Sequence, residues 1–193
     1  MARPIMLVVA GPPGSGKTTA FPLSAMGIDA FNIDDRCAQL VGSYQAIPRE
    51  VRVAIARECE RFVGQHIQAQ RSFAVETTVR TLAAVRQAEE AATCGFVTEL
   101  RYIATSSPEL NVQRVLQRAQ AGGHAASGGE VREIYAKSLA NLAEAVRAFE
   151  HSTVYDATEQ WALPRAVAVS AAGVLQVEAD APSWAREALR PSH

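Results

Sequence analysis

The chain has 193 residues, of which 48 % are hydrophobic, and a formal net charge of -1 at pH 7. This length and composition predict one domain, residues 1–193, with a substantial core. The small net charge argues against nucleic acid as the main partner, and no run approaches the roughly 20 apolar residues of a membrane span, so we expect neither nucleic acid nor membrane as a partner.

The three cysteines are scattered and form no CxxC pair, so the sequence suggests neither a disulfide framework nor a zinc site. This cysteine usage favours a reducing compartment. The N-terminal apolar run stops at Gly-Pro-Pro-Gly without a small-residue cleavage site, which favours a buried first strand over a signal peptide. The expected location is therefore the cytoplasm.

Strand-like apolar runs alternate with helical patterns along the first 156 residues. The order begins with IMLVVA, a helix opened by a glycine-rich loop, IDAFNID, a helix over about 48–70 and SFAVE. It continues with a helix in TLAAVRQAEEAAT, the strand FVTELRYIAT, a helix from Pro108 to AGGH, a helix over about 130–150 and STVYDA. This alternation predicts an α/β fold of the P-loop NTPase type, with a parallel sheet and helices on both faces.

Two segments have a weaker pattern. AGGHAASGGE is small, polar and flexible, and we expect a small helical lid around residues 118–135. Residues 157–193 predict a C-terminal extension with a late strand or hairpin around Ala172 and Gly173, followed by a short helix near SWAREAL. We expect this extension to cover an edge of the sheet.

The stretch GPPGSGKTT carries the strongest chemical signal. It matches G-x-x-x-x-G-K-[ST] between a strand and a helix, which is the context of a phosphate-binding loop. The glycines let successive N–H groups face the phosphates, while Lys17 reaches the β- and γ-phosphates and the Thr18 hydroxyl binds Mg²⁺. The predicted nucleotide-binding residues are Gly11, Pro12, Pro13, Gly14, Ser15, Gly16, Lys17, Thr18 and Thr19.

The ends of the second and third strands favour transfer of a phosphoryl group over hydrolysis. No guanine-reading N-K-x-D segment occurs, and the third strand ends in Glu76, where ATPase motors usually have an aspartate. These strand ends border the ligand crevice of an open α/β sheet. A carboxylate there can orient an acceptor hydroxyl and take its proton, so Asp34 is the candidate base. The alternative for Asp34 and Asp35 is a helix N-cap or a solvated turn, and the alternative for ETT is a helix N-cap.

Arginines form a third group of candidate functional residues. Arg114 and Arg118 lie four residues apart on one helix face and point, with His124 and Arg132, toward the flexible segment. A lid arginine can neutralise a phosphoryl group during transfer. A solvated basic helix face is the alternative for any one of them, but for the group we expect a function.

Five segments, taken in chain order, resemble the zeta-toxin family of P-loop kinases, particularly its compact bacterial members. They are GPPGSGKTT, FNIDD, ETTVRT, RVLQRAQAGGH and YAKSLANL. The resemblance spans residues 7–156, approximately. It implies an ATP-dependent kinase that uses Mg²⁺. The better-studied members of the family phosphorylate the 3′-hydroxyl of UDP-N-acetylglucosamine. The implied partners are a sugar nucleotide or related small molecule and an antitoxin-like protein.

The resemblance also implies roles for individual residues. Lys17 and Thr18 bind ATP and Mg²⁺, and Asp34 is the catalytic base. Arg114 clamps the phosphate with the help of Arg118. The implied substrate contacts are Asp34, Glu76, Thr78 and Arg80.

The lid departs from the family pattern. Compact relatives follow the His of GGH with Val-Pro and an arginine-rich segment, whereas this chain has AASGGEVREIY. It keeps Arg132 but places Glu133 and Ile134 where arginines are expected. We expect Arg132 to contact the nucleotide, and Arg114 and Arg118 to provide most of the phosphate clamp.

Two other functions remain open from the sequence. Another small P-loop kinase, such as an antibiotic or metabolite phosphotransferase, would share the base and the basic lid. A module that senses ATP without transferring phosphate is the second; the intact Lys17, Thr18 and Asp34 argue against it, and the altered lid argues for it. The leading hypothesis is phosphorylation of an alcohol on a sugar nucleotide.

Overall fold

The computed structural model describes residues 2–120, 126–160 and 162–190. The strands are β1 (Ile5–Ala10), β2 (Asp29–Asn32), β3 (Phe73–Thr77), β4 (Val97–Ala104), β5 (His151–Asp156), β6 (Arg165–Ala171) and β7 (Val174–Val177). The helices are α1 (Lys17–Ala20), α2 (Ile33–Val41), α3 (Arg49–Gln68), α4 (Ala83–Thr93), α5 (Pro108–Gln120), α6 (Gly128–Ala140), α7 (Leu142–Ala148) and α8 (Ser183–Ala188).

Within these residues all seven strands join one sheet, in the order β2-β3-β1-β4-β5-β6-β7. The first five strands are parallel, and β6 and β7 add antiparallel to the edge formed by β5. The predicted α/β fold with a mainly parallel sheet is therefore confirmed. Asn32 lies opposite Glu76, and Glu76 lies opposite Val9, so the ends of β2, β3 and β1 meet at one edge of the sheet.

The two faces of the sheet are unequally covered. Met6, Val8 and Ala10 point into the main core, where residues of α3, α4, α7 and α8 pack against them. Leu7 and Val9 point the other way into a small cluster, completed by apolar residues between positions 21 and 28. The side chains of a strand alternate between faces, so one strand contributes to both clusters.

The short α1 explains the thin second face. The helix predicted after the glycine-rich loop is present, but it ends after four residues at Ala20. Pro22 follows, and a proline disfavours helical backbone in the residue before it, here Phe21, whose φ is -134°. The chain then makes a single 3₁₀ turn before entering β2.

Two predicted elements have different bounds. The predicted strand IDAFNID ends at Asn32, because the Asn32 side chain caps α2 by accepting hydrogen bonds from the N–H groups of Asp34 (2.9 Å) and Asp35 (3.3 Å). Neither aspartate is the N-cap, so the capping alternative for this pair is wrong. The predicted helix over 130–150 is divided at Asn141 into α6 and α7.

The predicted C-terminal hairpin is confirmed. Ala172 and Gly173 join β6 to β7 with φ angles of 50° and 79°. Positive φ at both central residues is the mark of the type I′ turn that suits a two-residue hairpin. The predicted short helix is α8, whose Trp184 lies in the main core and donates from Nε1 to Asp156 Oδ1 at 3.1 Å.

The predicted lid is described only in part. α5 is described as far as Gln120 and carries the first residues of the lid, and α6 begins at Gly128 with Ser127 as its N-cap. The prediction for positions 121–125, including His124, lies outside the described residues. None of the helices in the described ranges has both the length and the apolar character needed to cross a membrane.

A substitution at Gly11 tests the close contact between the end of β1 and β4. Gly11 has a φ of +137°, and an added Cβ would lie 1.9 Å from the backbone oxygen of Ile103. We expect Gly11→Ala to lower the free energy of unfolding by about 3 kcal/mol or more, because overpacking adds to backbone strain. Urea denaturation measures this loss.

Gly95 provides the matched control. Its φ is +88°, but an added Cβ would meet no described atom within 4 Å. Gly95→Ala should therefore cost only the backbone strain, about 1–2 kcal/mol. Equal losses in the two variants would contradict the close contact at Gly11.

Candidate active site

A cleft of about 380 Å³ opens at the edge of the sheet where β1, β2 and β3 end. Open α/β sheets bind ligands at this edge. The cleft brings together residues from three separate sequence motifs. The predicted site residues that line it are Pro13, Gly14, Gly16, Lys17, Thr18, Thr19, Asp34, Glu76, Thr78, Arg80 and Arg118.

The glycine-rich loop is pressed against α5. Gly14 has a φ of +77°, and an added Cβ would lie 2.5 Å from the backbone oxygen of Asn111. The loop's own Ser15 is fully buried, and its Oγ has no hydrogen-bond partner among the residues described. A buried polar atom of this kind calls for a partner. The loop therefore fits a bound phosphate, which would supply acceptor oxygens.

Lys17 lies at the floor of the cleft. Its side chain is only 8 % exposed, and Nζ donates to the carbonyl oxygen of Pro12 at 3.1 Å. Burial lowers the pKa of this ammonium group, while the carboxylates of Glu76 and Asp34 act in the opposite direction and Arg118 adds to the lowering. These charges are therefore close enough to interact with Lys17.

Thr18 and Glu76 form a site with the chemistry of Mg²⁺ ligands. The Thr18 hydroxyl donates to Glu76 Oε2 at 3.0 Å, and Oε1 lies 3.3 Å away. Hydroxyl and carboxylate oxygens suit Mg²⁺, which usually takes one or two protein ligands and completes its shell with phosphates and water. No group of three or more His, Cys, Asp or Glu residues that could hold a metal occurs in the described ranges.

The structure separates the two aspartates after β2. Asp34 lines the cleft, and its Oδ1 lies 3.3 Å from Nη1 of Arg52 on α3. Asp35 instead accepts a hydrogen bond from the Tyr44 hydroxyl at 3.0 Å, which raises the pKa of Tyr44. Asp34 is therefore the carboxylate of this pair that faces the ligand space.

The three predicted arginines occupy different places. Arg118 lines the cleft. Arg114 donates to the backbone oxygens of residues 157 and 158, at 2.9 and 3.1 Å, and Arg132 donates from Nε to Glu109 Oε1 at 2.9 Å. Neither Arg114 nor Arg132 is part of the described lining of the cleft. Their contacts with the nucleotide remain predictions, as does the role of Gly11 and Pro12.

Sequence reasoning missed Asn111, which supports the glycine-rich loop. Its side chain is fully buried, donates from Nδ2 to Pro13 O at 2.7 Å, and accepts a hydrogen bond from Thr105 Oγ1. Asn111 lies four residues before buried Val115, so it occupies the core-facing side of α5. A polar residue at such a position was the available signal.

Arg52 was also missed. It lies 18 residues from Asp34 in the sequence and contacts it only because α3 folds back beside α2. No local pattern connects the two residues, so the sequence offered no signal for this pair.

Glu76→Gln should stabilise the protein without ligands. Burial raises the pKa of Glu76 above its ordinary value of 4.5, against the smaller opposing effects of Lys17 and the Thr18 hydrogen bond. A raised pKa means that the folded state prefers the neutral form, so stability is lost as the pH rises through that pKa. With EDTA present, we expect the variant to have a higher urea midpoint, and a larger gain at pH 8 than at pH 5.

Glu133→Gln is the control of opposite sign. Its carboxylate lies 2.6 Å from Lys137 Nζ, and this hydrogen bond lowers the pKa of Glu133. The ionised form is therefore favoured in the folded state, and that stability is lost as the pH falls. We expect no gain for this exposed variant at pH 8. A Glu76→Gln variant less stable than wild type at pH 8 would contradict the cost of burying the charge.

Solved structures of several proteins have a similar fold. They include a chain of the PezAT toxin-antitoxin system of Streptococcus pneumoniae, with 21 % identity, a TM-score of 0.61 and coverage of 81 % of this chain and 69 % of that chain. A putative kinase from Chloroflexus aurantiacus has 19 % identity, a TM-score of 0.53 and coverages of 71 % and 79 %. A chain of the AvrRxo1-ORF1:-ORF2 complex with ATP has 16 % identity, a TM-score of 0.70 and coverages of 92 % and 61 %.

These structural matches, at 16 to 21 % sequence identity, show a shared fold. The present chain spans less than two thirds of the AvrRxo1 chain, since it covers 61 % of that length. No curated protein sequence gives a significant match. The family model described as Zeta toxin, however, matches residues 1–166. This match takes in the glycine-rich loop, the cleft and all five parallel strands, and the chain therefore belongs to the Zeta toxin family.

Proposed function

We propose that the protein transfers the γ-phosphoryl group of ATP to a hydroxyl group of a small molecule, and that the acceptor is a sugar nucleotide such as UDP-N-acetylglucosamine. The observation that carries this proposal is the convergence of Lys17, Asp34 and Glu76 in one cleft beside the glycine-rich loop. Membership of the Zeta toxin family and its P-loop kinase fold supports the reaction class. The ATP complex of a protein with a similar fold supports the choice of nucleotide.

The phosphate side of the cleft would hold the nucleotide. The N–H groups of the loop and the Lys17 ammonium would bind the β- and γ-phosphates, and Asn111 keeps the loop in shape through Pro13. Thr18 and Glu76 would hold Mg²⁺, which supplies charge neutralisation to the phosphates. This assignment moves Glu76 from the sugar contacts expected from the sequence toward the metal.

Asp34 would orient the acceptor hydroxyl and take its proton. Asn32 already caps α2, so the carboxylate of Asp34 does not serve as the cap. Arg52 lies 3.3 Å from that carboxylate and would hold it in place. Arg118 is the arginine on the cleft wall, where it can neutralise charge on the phosphoryl group during transfer.

The acceptor side of the cleft combines two arginines and the carboxylate of Glu60 with small apolar side chains. Arg52 and Arg80 line it together with Gln87, and alanines of α3 and α4 form the wall between them. The alanines that line it are Ala56, Ala83 and Ala84. Guanidinium groups suit phosphate oxygens, and an amide suits sugar hydroxyls or a base edge. This combination supports a sugar nucleotide as the acceptor.

An antitoxin-like protein is the proposed macromolecular partner. The support is a fold shared with a chain of the PezAT toxin-antitoxin system, together with the family itself. The cytoplasmic location expected from the cysteines remains a prediction.

Asp34→Asn tests the base. The substitution keeps the shape and leaves Asn32 as the cap, so ATP binding should change less than about twofold while product formation falls by about 10²–10⁴-fold. Phosphorylated product is measured by mass spectrometry after incubation with ATP, Mg²⁺ and panels of UDP-sugars, nucleosides and aminoglycosides. Asp35→Asn is the matched control, because Asp35 contacts Tyr44, and it should retain most activity.

The outcomes separate the competing functions. A fully active Asp34→Asn variant would move the base to Asp35 or Glu76. Product on an aminoglycoside or another metabolite, with none on UDP-sugars, would replace the proposed acceptor class. Binding of ATP by the wild-type protein with no product on any acceptor would favour a nucleotide-binding module.

Arg118→Ala tests the cleft arginine. Neutralisation matters most in the transition state, so kcat should fall by about 10³-fold with little change in ATP affinity. Arg114→Ala should instead lower the thermal midpoint, because two backbone oxygens lose their donor. Arg147→Ala, at an exposed position of α7 outside the cleft lining, is the control. Wild-type kcat in the Arg118 variant would show that this arginine has no part in transfer.

A further inference from the structure

The connection between β3 and α4 contains a strained residue. Val79 has a φ of +52° and is only 1 % exposed. A β-branched residue rarely adopts this left-handed conformation, which costs free energy unless surrounding contacts compensate. The Val79 side chain lies in the main core, while its neighbours Thr78 and Arg80 both line the cleft. The unusual turn therefore directs these two residues to the acceptor side.

Two polar side chains from the end of α6 hold this turn. Ser138 Oγ donates to the backbone oxygen of Thr78 at 2.6 Å, and Asn141 Nδ2 donates to that of Val79 at 2.9 Å. Both acceptors are carbonyls of irregular backbone, so neither is satisfied by the sheet. These two bonds fix consecutive peptide groups at the strained position.

Tyr102 of β4 forms a hydrogen bond with Ser138. The two hydroxyl oxygens are 2.8 Å apart, and both residues are fully buried. Ser138 has one hydroxyl proton, which it donates to Thr78, so Tyr102 is the donor to Ser138. Burial raises the pKa of Tyr102, which keeps the phenol protonated for this role. The chain of bonds runs from the centre of the sheet to the cleft wall.

The same helix is tied to the phosphate side. Tyr135 donates from its hydroxyl to the backbone oxygen of Thr105 at 2.6 Å, and Thr105 bonds Asn111, which holds the glycine-rich loop. Ile134 of α6 lines the cleft itself. One rigid helix thus contacts the supports of both sides of the cleft.

We propose that Ser138 and Asn141 are positioning residues that hold residues 76–80 in the conformation required by the acceptor. This inference rests on the proposed function for its effect on catalysis, but the two hydrogen bonds that fix the turn are a property of the free protein. The two parts can be tested separately.

The first experiment measures amide hydrogen exchange in the free protein. Ser138→Ala and Asn141→Ala should each speed exchange in peptides covering residues 77–82 by at least about tenfold, because the strained turn loses a fixed point. Ser152→Ala is the matched control: this buried hydroxyl also donates to a backbone oxygen, that of Val146 at 3.2 Å, but it is outside the cleft lining. The control should leave exchange at 77–82 unchanged.

The second experiment measures steady-state kinetics with the acceptor found in the screen. Ser138→Ala and Asn141→Ala should lower kcat/KM for the acceptor by about tenfold or more with the KM for ATP within twofold of wild type, whereas Ser152→Ala should change neither. A loss of stability without this selective effect is what a purely structural role would produce.

The results distinguish the two ideas. Exchange at 77–82 that is the same in both variants as in wild type overturns the positioning role, whatever the kinetics show. Faster exchange with unchanged acceptor kinetics also overturns it. If the wild-type protein phosphorylates no acceptor while exchange is faster in the two variants, the proposed function is wrong. Ser138 and Asn141 are then still shown to fix the turn.

Discussion

The buried ammonium of Lys17 is the charge around which the cleft is arranged. Burial of an ammonium group is costly, and opposite charge nearby offsets part of that cost. That charge comes from Glu76 at the end of β3 and from Asp34 at the start of α2, and both act on Lys17. The parallel sheet makes this possible, because β3 lies beside β1 and between it and β2. The sheet order therefore decides which carboxylates can balance the lysine.

Irregular backbone around this charge is held by buried side-chain donors. The glycine-rich loop is supported by Asn111, and the turn after β3 is supported by Ser138 and Asn141. The carbonyls of Pro13, Thr78 and Val79 have no sheet ladder to satisfy them, and these polar side chains do so. Because Tyr135 connects α6 to the support of the loop, the two irregular segments share one scaffold. Their separation therefore depends on α6, which contacts the turn and the support of the loop.

Charged and hydroxyl side chains from several elements line the cleft. In the proposed function, Lys17, Thr18 and Glu76 bind the phosphates and the metal, and Arg52 and Arg80 contact the acceptor. Asp34 also lines the cleft, and its carboxylate lies 3.3 Å from Arg52. Arg114, by contrast, is used to fix the backbone that follows β5. Two arginines on one helix thus have different surroundings, and only Arg118 lines the cleft.

Much of the fold could be predicted from the sequence because its signals are local. Strand runs, helical periodicity and the glycine-rich loop each lie within a few residues, and the two-residue turn at Ala172 and Gly173 needs only its neighbours. The strand-loop-helix context placed the phosphate site, and the chain order of the motifs indicated the family. Sheet order then brings the ends of these elements together, as the general rule for α/β proteins predicts.

Other features were decided only by the tertiary structure. The partner of Asp34 is Arg52, the support of the glycine-rich loop is Asn111, and the turn at Val79 is held from α6. Each of these bonds joins residues that are far apart in sequence, so no periodicity or spacing encodes it. What the sequence by itself determined is most of the elements, with α2 as the exception, and the location of the phosphate loop. Which side chains line the cleft depended on how those elements pack, because side-chain direction is set by contacts that form only in the folded chain.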